Sequence, residues 1–106
     1  MKKFDENSPV YAQVRQAMQI IGDKWSVLIL MSLMESPQRF SEIESRVGDI
    51  SPRALSLRLK SLEEAGMIAK KTYKEFPPRT EYCVTQKAKD LKESVHHLKY
   101  WAKKYC

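Results

Sequence analysis

Arg53, Ser56, Leu57 and Lys60 follow one another at intervals of three, one and three residues. At about 100° per residue, the four fall on one face of a helix. Their chemistry suits the edges of nucleobases. Arginine and lysine donate to guanine O6 and N7, a serine hydroxyl donates or accepts, and a leucine can touch a thymine methyl. Arg39, Ser51, Arg58, Lys71, Lys74 and Arg79 supply further donors of the kind that hold phosphate oxygens. Each has a plainer role open to it. The helix face could be a solvated charged surface, Ser51 could serve only as a cap, and Arg39 could pair with Glu42 or Glu35.

Other chemistry is not expected. Cys83 lies out of phase with Tyr82 and Val84 on a strand, with no basic cluster in view to lower its pKa, and reads as a partly exposed, inert thiol. Cys106 at the terminus is either incidental or could join a second copy through a disulfide. His96 and His97 are adjacent, so they point about 100° apart and lack the i, i+4 spacing of a helical metal pair. There is no glycine-rich phosphate loop and no nucleophile elbow, so neither a cofactor nor an enzyme is expected.

The bulk numbers agree with a polyanionic partner. The 106 residues suffice for one domain with one modest core. Net charge is +6, unevenly spread. Residues 1–50 carry six basic and seven acidic side chains, residues 51–80 seven and three, and residues 86–106 six and two. No apolar run approaches the roughly 20 residues needed to span a bilayer, and MKKFDENSPV has no apolar signal core. The expectation is a cytoplasmic protein with reduced thiols and no membrane partner.

The elements that must position these residues can be read in turn. Residues 1–9 are polar and read as a flexible arm. An amphipathic helix follows, with Val10, Val14, Ala17, Met18 and Ile21 on its apolar side and Gly22 at its end. Asp23 should cap a second helix, Lys24 to Glu35, which is apolar on nearly every side and reads as the centre of the core. Trp25 should fill the core where these two helices meet, and Met18, Met31, Met34 and Met67 read as core filler. Ser41 and Glu44 match a capping box for a short third helix ending at Gly48. After Asp49, the stretch from Ile50 to Gly66 has both ends marked. Ser51 is an N-cap, Pro52 fits the first helical position, Ile50 and Leu55 have staple spacing, and Gly66 can turn left-handed. Leu55, Leu59 and Leu62 then face inward.

Short helix, tight turn and longer capped helix make a helix-turn-helix. Met67–Tyr73 and Thr80–Val84 read as strands joined by KEFPPR, a stiff basic loop. This is a wing, with 74–79 expected on the flanking backbone or minor groove. Thr85 should cap a last helix, Gln86 to Lys104. Its Ala88, Leu91, Val95, Leu98, Ala102 and Tyr105 are spaced as a heptad seam. A partner helix from a second copy would cover that seam. The candidate interface is Val14, Met18, Leu91, Val95, Leu98, Trp101, Ala102 and Tyr105. Packing of the seam against the first helix of the same chain is the competing explanation. The fold class is mainly α with a small β-hairpin, a single winged helix-turn-helix over residues 1–106 with an extra helix at each end.

Several short motifs resemble those of the HxlR-type winged-helix regulators of bacteria, relatives of the MarR group. They are Ile21-Gly22-Asp23-Lys24-Trp25, Arg39-Phe40-Ser41-Glu42-Ile43, Ile50-Ser51-Pro52 with Leu55 and Arg58-Leu59, Leu62 to Ile68, and Pro77 to Tyr82 before Val84-Thr85. They span about residues 12 to 91. The resemblance implies a homodimeric transcription factor that binds inverted repeats, with the 51–66 helix in a major groove. Ala12 stands where many relatives carry a cysteine that in some senses electrophiles or oxidants, so that route to sensing is closed. Leu57 stands where relatives often have a polar residue.

Two rival readings use the same residues. One is a winged-helix module that docks an acidic protein on its basic surface. The other is a regulator switched by a small-molecule effector, in the dimer seam or beside the core, or by the redox state of Cys83 or Cys106.

Overall fold

The computed structural model describes residues 8–106. Six helices and one hairpin follow in the order α1 (Pro9–Ile21), α2 (Ser26–Glu35), α3 (Phe40–Val47), α4 (Pro52–Glu64), β1 (Ile68–Tyr73), β2 (Arg79–Val84), α5 (Gln86–Lys89) and α6 (Lys92–Tyr105). This is a winged helix-turn-helix with a helix added before it and another after it. The expected flexible arm lies outside the described residues, save its last two. Ser8 accepts from the Tyr11 amide and caps α1, and Pro9 is that helix's first residue.

Helix α4 forms as its local signals dictate. The Ser51 hydroxyl accepts from the Ala54 amide at 3.1 Å. At the other end Gly66 takes φ +75°, and the amides of Gly66 and Met67 return to the carbonyls of Glu63 and Leu62. That double closure satisfies the last carbonyls and stops the helix. Leu55, Leu59 and Leu62 are buried, as is Ile50 before the cap.

Those side chains meet Ile29, Leu30 and Leu33 of α2 and Ile43 and Val47 of α3 in one core, closed below by Met67, Ile68 and Ala88. Trp25 and Met34 pack against its edge. Helix α2 begins two residues later than its sequence suggests. Asp23 still serves it, because its Oδ1 accepts from the amides of Trp25 and Ser26, both at 2.9 Å. Nor is α2 buried all round, since Leu28 is 40% exposed. Met18 likewise lies outside the core, half exposed on α1.

Helix α3 is capped two residues earlier than expected, at Arg39 and not Ser41. Phe40 is its first residue, and Glu42, not Glu44, reaches back to the Arg39 amide at 3.0 Å. Starting there lets Phe40, Ile43 and Val47 all face the core. Ser41 then lies inside the helix, where its carbonyl accepts from the Ser45 hydroxyl.

The hairpin is antiparallel, with Ile68 opposite Val84, Lys70 opposite Tyr82 and Tyr73 opposite Arg79. A further bridge joins Gln38, before α3, to Tyr82. Gln38 is buried, and its side chain bonds the hydroxyl and carbonyl of Ser32 on α2.

The long C-terminal helix is in fact two, broken at Asp90 and Leu91. Thr85 precedes α5, but its hydroxyl does not cap it. It donates to the Gly66 carbonyl at 2.6 Å and also reaches that of Met67. The heptad seam divides at the same place. Ala88 and Val95 are buried and Leu91 packs on the core, whereas Leu98, Trp101 and Tyr105 are exposed. Helix α6 packs against α2.

Candidate nucleic-acid interface

The caps and the buried leucines of α4 fix which side chains point outward. Arg53, Ser56, Leu57 and Lys60 are all exposed, with Leu57 at 54%. Helix α4 is held from inside the protein, so this face is presented with little freedom of rotation. Ser51 is exposed as well, with its hydroxyl committed to the cap. Arg39 is exposed at the start of α3, and the neighbouring Glu35 pairs with Arg46 instead.

The two faces of the hairpin are chemically different. Successive residues of a strand point to opposite sides. Ile68, Lys70, Tyr82 and Val84 share the side toward the core, while Lys71, Tyr73, Arg79 and Glu81 share the other. Past Ile68 the inner face runs beyond the core and meets the outer side of α4. Ser56, Leu57, Lys60, Glu63, Lys70 and Tyr82 there line one groove. Lys70 lies 5.9 Å over the Tyr82 ring. Lys71 is exposed on the opposite side of the hairpin, 5.6 Å over Tyr73.

Lys70 therefore belongs to the groove although the sequence reading singled out Lys71. The available signal was phase. Lys70 is two residues from the apolar Ile68 and opposite Tyr82, so it shares their side.

Two of the candidate arginines already have acidic partners. Arg58 Nη1 lies 3.3 Å from Asp23 Oδ2, which ties α4 to the start of α2. Burial works to raise the Asp23 pKa. Hydrogen bonds from the Ser26 hydroxyl and the Trp25 and Ser26 amides, together with the Arg58 charge, outweigh it and hold the carboxyl below its ordinary value. Arg79 at the start of β2 is enclosed. Its Nη2 is 3.4 Å from Glu75 and its Nε 3.9 Å from Glu81, and its guanidinium lies 4.4 Å over the Tyr73 ring. The adjacent Glu81 carboxylate raises the Tyr73 phenol above its usual pKa. Lys74 at the base of the loop is exposed.

Along α1 and α6 a second surface is apolar. Val10, Val14, Met18, Leu98, Trp101 and Tyr105 are each about half exposed or more, and the Trp101 and Tyr105 rings meet at a tilt, 5.5 Å between centroids. Ala102 is half-buried beside them. Of the expected interface residues, Leu91 and Val95 turn toward the chain's own core.

Among the described residues no group of three or more His, Cys, Asp or Glu could hold a metal ion. Among the described residues no single helix is long and apolar enough to cross a membrane. His96 and His97 are both exposed. Cys83 is half-buried with its Sγ 3.7 Å from the Ala69 carbonyl, and Cys106 is exposed.

Residues 20–106 match the HxlR-like helix-turn-helix family. An uncharacterised HTH-type transcriptional regulator of Methanothermobacter thermautotrophicus is 41% identical over 92 residues, covering 87% of this chain and 70% of that one. A solved structure from Porphyromonas gingivalis W83, assigned to the MarR family of transcriptional regulators, superposes with a TM-score of 0.84 at 31% identity over the full length of both chains. The reduced form of the transcriptional regulator YodB from Bacillus subtilis superposes with a TM-score of 0.77 at 30% identity, covering 93% of this chain and 94% of that one.

Proposed function

The chain belongs to the HxlR-like helix-turn-helix family, and on that premise we propose that it is a transcriptional regulator that reads an inverted-repeat operator as a homodimer in the cytoplasm. One observation carries the reading. Helix α4 is fixed by two caps and three buried leucines and turns Arg53, Ser56, Leu57 and Lys60 outward beside Lys70. A helix so anchored suits a major groove, which is about 12 Å wide. Arg53, Ser56, Leu57 and Lys60 contact bases. Ser51, Arg39, Lys70, Lys71 and Lys74 hold phosphates. Arg58 and Arg79 set the pose of α4 and the wing through their acidic partners, and their remaining donors face the backbone.

The shape of the chain supports the dimer. The radius of gyration is 15.7 Å, against about 13 Å for a compact domain of roughly 100 residues. Among the described residues, apolar side chains of α1 and α6 such as Val14, Met18, Leu98 and Trp101 stay about half exposed. Val14, Met18, Leu98, Trp101, Ala102 and Tyr105 meet their counterparts, while Leu91 and Val95 hold α6 to its own domain. An effector, where one acts, would bind in that seam.

Selection of bound duplexes from a random DNA pool tests this. Recovery of an inverted repeat supports both base reading and two-fold symmetry, and its half-site spacing gives the distance between the two α4 helices. Recovery of no motif, with binding that vanishes as salt rises, overturns the sequence-specific reading and favours a protein partner for the basic groove.

The relative solved in reduced form gives one reason to test a redox version. Its thiols here would be Cys83 and Cys106. An oxidant response of DNA binding that is unchanged when both are serine eliminates it.

A further inference from the structure

The most exposed large apolar side chain among the described residues is Phe76, at 102% relative exposure. It stands at the tip of the hairpin, between Lys74-Glu75 and Pro77-Pro78. Two consecutive prolines fix two φ angles, so the tip is stiff and the ring is presented at little cost in entropy.

The arginine that closes the tip on the β2 side is occupied. Arg79 is held by Glu75 and Glu81 and covered by the Tyr73 ring, and its Nε is buried. Two carboxylates around one guanidinium leave the tip no free positive charge from Arg79. The exposed lysines of the hairpin run from Lys70 and Lys71 on β1 to Lys74 in the loop, two residues before the ring. The hairpin therefore offers cations along its length and an aromatic ring at its end.

We propose that Phe76 is an apolar wedge that the wing inserts into the DNA minor groove. This rests on the reading above that α4 occupies the adjoining major groove. Lysines on the hairpin hold the flanking phosphates, which brings the tip to a groove about 6 Å wide. A flat ring enters edge-on and partly parts one base step, bending the duplex toward the major groove. Flexible pyrimidine–purine steps open most easily. The wing thus prefers such a step at the outer end of each half-site, without a hydrogen bond to any base. Arg79 is a positioning residue in this scheme, because its contacts set the shape of the loop that aims Phe76.

The test uses the full chain and the duplex recovered by selection, with 2-aminopurine substituted in turn at each position flanking a half-site. The wild type should raise the fluorescence at one position on binding. Phe76→Ala should abolish that rise and weaken binding about 10-fold, within the range found for lost base–aromatic stacking. Its salt dependence should be unchanged, whereas Lys74→Ala should reduce the salt slope. Phe76→Leu, still apolar, should keep most of the signal. The ring is fully exposed, so these variants fold as the wild type does.

Phe76→Ala with wild-type affinity and signal overturns the proposal, while loss of sequence preference in Arg53→Ala would leave the regulator reading standing. Failure of the wild type itself to select any duplex overturns both. Loss in Phe76→Ala of a protein complex, with DNA binding intact, assigns the ring to a protein partner and overturns the wedge.

Discussion

The Asp23 carboxylate, just before α2, lies 3.3 Å from the Arg58 guanidinium on α4. The same carboxylate holds the first amides of α2. One side chain therefore caps a core helix and ties to it the helix proposed to face DNA.

Removing it should act on both. Asp23→Ala should cost about 1 kcal/mol through the lost cap and weaken operator binding by freeing Arg58. Urea denaturation and a binding titration on the same samples measure the two effects. The native pKa of Asp23 is depressed, so its contribution is fully present above the unfolded value of about 4 and is lost as pH falls through the native one. The stability difference between wild type and Asp23→Asn should hold at neutral pH and shrink below about pH 4.

Leu55 and Leu57 are two residues apart on α4 and should behave oppositely. Leu55 is fully buried, so Leu55→Ala should destabilise the fold by about 2–5 kcal/mol. Leu57→Ala should change stability by less than about 0.5 kcal/mol and weaken binding only to operators with a thymine opposite it. Thermal melts separate the first effect, and a panel of operator variants the second.

The basic residues of α4 and the hairpin should divide by salt and by sequence. Arg53→Ala or Lys60→Ala should cost about 1–3 kcal/mol on the cognate base pair and little on others. Lys70→Ala, Lys71→Ala and Lys74→Ala should weaken binding to every sequence and each lower the salt slope by about 1. Equal losses on all sequences for all five variants would contradict this division. Lys71 is on the outer face of the hairpin, so the smallest effect of the three is expected there.

The apolar faces of α1 and α6 should govern association. Leu98→Glu or Trp101→Glu should weaken the dimer by about 2 kcal/mol or more, as for a central interface aromatic. Sedimentation velocity would show monomers at concentrations where the wild type is dimeric. Val95→Ala, in contrast, removes a buried residue of the same helix and should lower stability before it alters association.

What the sequence made legible was local. Both ends of α4 follow from Ser51, Pro52 and Gly66, because caps and left-handed turns are settled within five residues. The strands followed from their bounding prolines and alternation. The C-terminal helices did not. A heptad period cannot tell a chain's own core from a partner's, so Val95 and Leu98 looked alike although one is buried and the other is not. The pairing of Asp23 with Arg58, 35 positions away, and the enclosure of Arg79 depend on tertiary placement that no short window contains. The burial of Gln38 is not written in its neighbours either, since none of them announces a buried amide.

Gln38 has a mechanical meaning. Its backbone exchanges both hydrogen bonds with Tyr82, at 3.0 and 2.7 Å, and its side chain is fastened to Ser32. The hairpin is thus riveted to the same frame that carries α3 and α4. In the proposed dimer each half would work as a gauge of fixed span, measuring the distance along DNA from one groove to the next. Such a gauge discriminates by length as well as by letter. Inserting a base pair inside a half-site would defeat it even with every contacted base intact, and a signal that releases DNA must move the two gauges apart rather than open either one.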